Sequence, residues 1–125
     1  ISFELPKQNT FFNYEKVSKR IHLDIASVNT AILIKIDNGI ITQANISAGG
    51  VAPIPFYLAE MRKSLLGKKI STDTISEAIQ IALSEINPIT DVRGSAEYKK
   101  LLLRQLLLSH FHKYSPELVE LELAL

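Results

Sequence analysis

The apolar positions in the first third of the chain follow a period of two, which predicts β-strands. The first five residues alternate in this way and stop at Pro6, which indicates an edge strand. Residues 9–23 are polar and irregular, so we expect a loop there. The β-branched run over residues 24–37 predicts a strand, and Asn38–Gly39 then predicts a tight hairpin. Residues 40–50 are its expected partner strand.

After residue 50 the apolar period changes to about 3.6, which predicts helices. The first is expected within residues 51–67, where Leu58, Met61 and Leu65 form a stripe. The second is expected over residues 71–86, with Thr74 and Glu77 matching a capping box. One face of this helix carries Ile75, Ala78, Ile79, Ala82, Leu83 and Ile86.

The third helix is expected from Ser95 to Tyr114 and contains the most leucine-rich run of the chain. Its apolar residues spread too widely around the axis for a one-sided surface helix, so we expect most of them in the core. Strands followed by helices predict an α+β fold, a small antiparallel sheet of three to four strands covered by three helices. We expect this domain to span residues 1–115, with a ragged tail over residues 116–125.

Composition narrows the class of protein further. The chain has 125 residues, of which 46% are hydrophobic and 22% charged, a balance typical of one soluble globular domain. A net charge of +1 gives no reason to expect nucleic acid or a membrane surface as a partner. The absence of cysteine excludes disulfides and thiolate metal sites, and it favours the cytoplasm. The chain begins without a methionine or a signal sequence, and we expect it to be part of a longer protein.

No self-contained active site is evident among the polar residues. His110 and His112 are two positions apart on a helix and point in different directions, so we expect ordinary surface histidines. The carboxylates of Asp73, Glu77 and Glu85 are expected to be solvated. Residues 48–53, which read AGGVAP, could cradle a phosphate, but a tight strand-to-helix turn is the favoured interpretation.

The charged loop before the third helix, around Asp91 to Ser95, is expected to be a structural clasp. Gly94 would supply the turn, and Ser95 or Asp91 would cap the helix. Arg93 would pair with Asp91 or Glu97, or reach a backbone carbonyl. Tyr98 is expected to lie against the sheet or the neighbouring helix.

Three ordered blocks of this sequence resemble one family. Residues 14–28 contain an aromatic-x-K pattern followed by R and D-I-A-x-V. Residues 46–55 read ISAGGVAPIP, which is similar to the pattern A-x-G-G-V-A-P-x-P. Residues 89–111 contain D-x-R-x-S-A-x-Y-K before the last long helix. These blocks are similar to the C-terminal domain of the FAD-binding medium subunits of molybdenum hydroxylases. That family includes the flavoproteins of xanthine dehydrogenase and carbon monoxide dehydrogenase.

The resemblance implies an α+β domain that completes a flavin subunit. In the family, two earlier domains hold FAD through glycine-rich loops, and those loops are missing from this chain. The isolated chain is therefore expected to be inactive. The resemblance further implies a large subunit with the molybdenum cofactor and a small subunit with iron–sulfur clusters, from which electrons pass to FAD.

The resemblance also implies a cofactor contact. Lys16 matches a lysine that approaches the flavin, and the segment from Val17 to Leu23 matches a loop that borders the flavin entrance. A fixed ammonium there would favour the reduced, anionic ring. Arg20 is a second expected contact, on weaker grounds, because relatives often carry paired arginines where this chain has Lys19 and Arg20. The alternative is a non-enzymatic binding or regulatory α+β domain, which an upstream segment with glycine-rich FAD loops would exclude.

Overall fold

Four antiparallel strands form one sheet with the order β1-β2-β3-β4. The structure is a computed structural model that describes residues 1–22 and 24–123. The strands are β1 (Thr10–Val17), β2 (Val28–Asp37), β3 (Ile40–Gly49) and β4 (Phe56–Tyr57). The helices are α1 (Ala59–Leu65), α2 (Thr72–Glu85), α3 (Ala96–Tyr114) and α4 (Pro116–Leu123). The predicted α+β class is confirmed.

The hairpin between β2 and β3 forms as predicted. Asn38 and Gly39 both have positive φ, 52° and 77°, as a two-residue hairpin turn of this kind requires. The β2–β3 pairing continues from this turn to Asn29 opposite Gly49. The inner face of these strands packs on the helices and supplies much of the core.

The prediction for the first strand is wrong. The described residues before Thr10 form no strand, and β1 lies inside the segment expected to be a loop. The reason is that Asn13 and Glu15 occupy inward-facing positions of β1, which hides the period of two. Side chains of α3 satisfy both residues, so polar groups are tolerated on the inner face of this edge strand.

Helix α2 forms as predicted, but its capping residue differs. The N-cap residue is Ser71, whereas the sequence indicated Thr74. The Ser71 hydroxyl accepts a hydrogen bond from the backbone N–H of Thr74 at 3.2 Å. Glu77 does not complete a capping box but forms an ion pair with Lys68 at 2.7 Å. The predicted apolar face is confirmed, because Ile75 and most of its companions are buried.

Helix α3 follows its Ser95 N-cap and contacts β1, β2, α2 and α4. Its apolar residues from Leu102 to Phe111 are buried, whereas Leu101 is 53% exposed. The central position predicted for this helix is therefore correct. The predicted tail includes a fourth helix, α4, whose Val119 lies in the core. None of the described helices is long and apolar enough to cross a membrane.

Candidate functional site

The three sequence blocks meet at one end of the sheet. The segment after β1 returns to the sheet through a hydrogen bond from the Ser27 N–H to the Val17 carbonyl, at 2.8 Å. Lys19 donates through Nζ to the carbonyl of Val92 at 2.5 Å, and Ser27 Oγ donates to the carbonyl of Arg93 at 2.9 Å. These two bonds tie the first block to the third.

The second block joins them through its glycines. Gly50 has a φ of +83°, and a Cβ on it would lie 2.2 Å from the carbonyl oxygen of Ser27. Only glycine therefore fits, because the two backbones are in direct contact. A Cβ on Gly49 would meet the side chain of Asn29 at 2.7 Å, so neither glycine leaves an open cradle. This supports the turn interpretation of AGGVAP, although the turn leads into β4 before α1.

Lys16 and Arg20 lie near each other at this end of the sheet. Lys16 is the penultimate residue of β1, and its exposed side chain donates from Nζ to the carbonyl of Asp24 at 2.7 Å. The Arg20 guanidinium is 3.9 Å from Asp24 Oδ1, and the Arg20 N–H donates to Asp24 Oδ2 at 3.0 Å. Asp24 therefore links both candidate residues. Leu23, the last residue of the predicted entrance loop, lies outside the described residues.

The strand register places Lys16 on the open face of the sheet, away from the helices. Lys16 is opposite Asn29, which is opposite Gly49, and these three form the end row of the face. Phe12 and Tyr14 follow on the same face of β1 and are half exposed, as is Tyr57 on β4. The face also contains a shallow cavity of ≈ 180 Å³. Sequence reasoning missed this exposed aromatic surface because β1 was expected to be a loop.

The loop before α3 is a clasp, as predicted, but the residue that secures it is Lys99. The Lys99 side chain is only 2% exposed, and its ammonium donates to Asp91 Oδ2 at 2.9 Å and to the Ile89 carbonyl at 2.8 Å. The hydrogen bond from Lys99, followed by that from the Arg93 N–H, lowers the pKa of Asp91 below its usual value. Lys99 shares the helical spacing of Leu103, Leu106 and His110, which is the signal that could have identified it.

The other residues of the clasp differ in part from expectation. Ser95 caps α3 as predicted, accepting from the Tyr98 N–H at 3.1 Å. Arg93 takes part through its backbone, and among the described residues its guanidinium forms neither of the predicted ion pairs. Gly94 has a φ of +151°, and a Cβ on it would meet the Tyr98 ring at 2.7 Å. The Tyr98 ring therefore lies over Gly94 of its own loop and is 43% exposed, whereas burial against the sheet or the neighbouring helix was expected.

The prediction that His110 is a surface residue is wrong. Its ring is completely buried between α3 and the sheet, with Nε2 2.7 Å from Thr30 Oγ1 and Nδ1 2.8 Å from Asn13 Nδ2. Because the Asn13 amide donates, Nδ1 accepts and the ring is neutral. Burial lowers the pKa of His110 to about 4, against the opposing effect of the Glu15 carboxylate. His112 is exposed, as expected.

Glu85 also differs from the solvated charge that was expected. Its two carboxylate oxygens accept from the N–H groups of Glu60 and Met61, each at 2.9 Å. These are unpaired donors at the start of α1, whose N-cap residue Leu58 provides no side-chain cap. Glu85 therefore caps α1 from the end of α2 and joins the two helices.

The described residues fit part of an FAD site and no metal site. No group of three or more His, Asp or Glu side chains among them could hold a metal ion. Neither glycine of the AGGVAP turn offers space for a diphosphate, as its Cβ contacts show. An exposed, positioned ammonium beside exposed aromatic rings fits an edge contact with a flavin that is held elsewhere.

Comparison with known families assigns this domain to a class. The chain matches the family model described as CO dehydrogenase flavoprotein C-terminal domain over residues 13–114. It belongs to this family, and the predicted resemblance is confirmed. The matched range contains all three blocks in full.

Individual relatives support the same assignment. The chain is 33% identical over 98 residues to the glyceraldehyde dehydrogenase medium chain of Sulfolobus acidocaldarius, which covers 78% of this chain. It is 27% identical over 100 residues to the carbon monoxide dehydrogenase medium chain of Hydrogenophaga pseudoflava, covering 80% of this chain. The match spans 34% of each relative, so this chain corresponds to about a third of their length.

Solved structures of related enzymes share the fold. Carbon monoxide dehydrogenase from Hydrogenophaga pseudoflava matches with a TM-score of 0.76 and 26% identity, over 81% of this chain and 35% of that chain. Quinoline 2-oxidoreductase from Pseudomonas putida matches with a TM-score of 0.75 over 92% of this chain and 40% of that chain. Its identity is 21%, so that likeness supports the fold alone.

Proposed function

We propose that this chain is the C-terminal domain of the FAD-binding subunit of a xanthine dehydrogenase-like molybdenum hydroxylase. There it completes the flavin subunit and the electron-transfer path from iron–sulfur clusters to FAD. The observation that carries the proposal is that the three family blocks, distant in sequence, are joined at the end of the sheet that presents Lys16.

In this proposal Lys16 and Arg20 contact FAD that is held mainly by other domains. FAD supplies two-electron redox chemistry when it is bound. The Lys16 ammonium is exposed, and the carbonyl of Asp24 fixes its position. Its positive charge would stabilise negative charge on the reduced ring by electrostatic attraction. Because its position is already fixed, the ammonium would not need to be reoriented at each electron transfer. Arg20 is held by Asp24 from the other side and would add a second positive charge.

The proposed partners follow from the same family assignment. They are the FAD-binding domains that precede this one in the same subunit, a large subunit with the molybdenum cofactor, and a small subunit with iron–sulfur clusters. The relatives named as medium chains of dehydrogenases support such an assembly. The proposed assembly includes neither nucleic acid nor a membrane, and its proposed location is the cytoplasm.

Flavin content tests this proposal. We expect the full-length polypeptide that contains this domain to purify with FAD, and this chain alone to show neither FAD absorbance nor dehydrogenase turnover. The physical reason is that the described residues offer an edge contact and no diphosphate cradle. Stoichiometric flavin on the isolated chain would contradict the proposed division of the site. A full-length polypeptide without FAD would favour the alternative, a non-enzymatic binding domain.

A further inference from the structure

A groove with Arg93 at its centre runs between the AGGVAP turn and the loop before α3. On one side of Arg93 lies a cavity of ≈ 270 Å³, bordered by Ile25, Pro53 and Ile54. On the other side lies a cavity of ≈ 250 Å³, bordered by Ile89, Asp91 and Lys99. Gly50 and Pro53 line both cavities, so the two form one continuous surface, which we call the Arg93 groove.

Large apolar side chains around this groove are exposed to solvent. Ile25, Ile54 and Ile89 line its two cavities, and each is at least 69% exposed. Val92, which precedes Arg93 in the chain, is 85% exposed. Single exposed isoleucines are normal on a protein surface, but several grouped around one cation form a patch. Exposed apolar side chains around an arginine suit a surface that another protein covers, because arginine is enriched in protein interfaces whereas lysine and the acidic residues are depleted.

Arg93 itself is positioned for a partner outside this domain. Its backbone is anchored twice, by its N–H on Asp91 Oδ1 at 2.9 Å and by its carbonyl, which accepts from Ser27 Oγ. Its guanidinium makes no hydrogen bond or ion pair with any residue that the structure describes. Asp91, the nearest acidic group of the loop, is already engaged by Lys99. The backbone of Arg93 is therefore fixed, while its guanidinium remains available to hydrogen-bond a partner.

The net charge of the groove indicates which kind of side chain would bind in it. Lys99 and Arg93 are cationic and Asp91 is the one acidic residue that lines either cavity, which leaves an excess of one positive charge. A guanidinium pairs with a carboxylate through two parallel hydrogen bonds. The matching occupant is an aspartate or glutamate side chain flanked by apolar residues.

We propose that the Arg93 groove docks the flavin-binding part of the same polypeptide through one carboxylate that pairs with Arg93. This inference rests on the proposed function. Asn29 and Gly49 line the groove and also form the end row of the open face with Lys16. A body that approaches Lys16 therefore also covers the groove. The match spans 34% of the glyceraldehyde dehydrogenase medium chain of Sulfolobus acidocaldarius, and a polypeptide of that length has a further part that can cover this surface.

Photo-cross-linking in the full-length flavin subunit tests this docking. A photoreactive amino acid replaces the exposed Ile54, and mass spectrometry identifies the cross-linked peptide. We expect a peptide from the flavin-binding part of the same polypeptide, containing or adjoining an acidic residue. Cross-links that lead to a different subunit, to a second copy, or to no peptide at all would overturn the proposal.

Charge reversal tests the role of Arg93 in the same experiment. Arg93→Glu should reduce the yield of this cross-link about tenfold, because a like charge then faces the carboxylate. Arg93→Lys should retain most of it. Lys63→Glu on α1 is the matched control, since Lys63 is exposed and outside the groove, and its yield should equal that of the wild type. An unchanged yield in Arg93→Glu would contradict the pairing.

The two proposals can fail separately. Circular dichroism of each variant verifies that the subunit is folded before yields are compared. A wild-type subunit without FAD would refute the proposed function. A subunit that holds FAD but cross-links elsewhere would refute only the docking.

Discussion

His110 connects the helix layer to the sheet through two buried hydrogen bonds, to Thr30 and to Asn13. Neutral imidazole is required there, because Nδ1 must accept from the Asn13 amide. The carboxylate of Glu15 and the ammonium of Lys113 are the charged groups that face it. The folded state therefore resists protonation at His110, which makes stability depend on pH.

The sign of this dependence follows from the lowered pKa. The unfolded chain binds a proton near pH 6.5, whereas folded His110 does so only at about pH 4. Stability from this group is thus complete above pH 6.5 and is lost as the pH falls towards 4. Between pH 7 and pH 5 the loss should be roughly 2 kcal/mol in urea unfolding. His110→Gln should flatten this slope, and His112→Gln, on the exposed side, should not.

Lys99, like His110, is a buried polar residue of α3, and its burial was not predicted from the leucine-rich sequence around it. Lys99→Met should lower the free energy of unfolding by about 1–3 kcal/mol, because the Ile89 carbonyl and the Asp91 carboxylate lose their donor. Lys100→Met, one position along and only partly buried, provides the comparison. Equal effects of the two substitutions in chemical denaturation would show that the clasp does not depend on Lys99.

At the scale of the elements, α3 provides the centre of the core. Leu106→Ala should cost roughly 2–5 kcal/mol in the free energy of unfolding, since the side chain is buried and leaves a cavity. Leu101→Ala, on the exposed face of the same helix, should have little effect. A loss well under 1 kcal/mol (about the cost of one methylene) for Leu106→Ala would show that the core does not close around α3.

The contact between the first and second blocks depends on a glycine. Gly50→Ala should destabilise the fold more than Gly39→Ala, although both glycines have positive φ. At Gly39 nothing lies near the new Cβ, so only the backbone strain of about 1–2 kcal/mol applies. At Gly50 the Cβ would collide with the Ser27 carbonyl, so the backbone must move as well. Equal melting temperatures would argue against this backbone contact.

The period of the apolar positions predicted the hairpin and all three main helices, because the buried side chains of those elements are mainly apolar. It failed for β1, where Asn13 and Glu15 face inward and are satisfied by His110 and Lys113 of a distant helix. Such a pairing depends on tertiary contacts and leaves no periodic signal. The same reason explains why Glu85 was not recognised as the cap of α1.

For the candidate site, sequence indicated the three blocks but not their arrangement. The pairing of Lys16 with Asn29 and Gly49 emerges only from the sheet register. The aromatic residues Phe12, Tyr14 and Tyr57 belong to the same open face, which required β1 and β4 to be known as strands. Long-range pairing, not local preference, therefore decides what this surface presents.

At the scale of the whole molecule, the helices cover one face of the sheet. On the opposite face, the described residues leave the Lys16 end open, and residues 4–7 lie beside the Lys35 end. The open face carries Lys16 in its first row and Lys35 in its fourth row along the strands. The central claim is that the Lys16 end, and not the Lys35 end, faces the flavin in the complete subunit. The two lysines thus form a matched pair for a test.

Redox titration of the full-length, FAD-loaded subunit tests this claim most directly. Lys16→Met should lower the flavin reduction potential by a few tens of millivolts, where about 30 mV corresponds to roughly 1.4 kcal/mol for a two-electron couple. Lys35→Met should leave the potential unchanged. If Lys16→Met alters neither the potential nor the affinity for FAD, Lys16 is an ordinary surface lysine and the account of this site is contradicted.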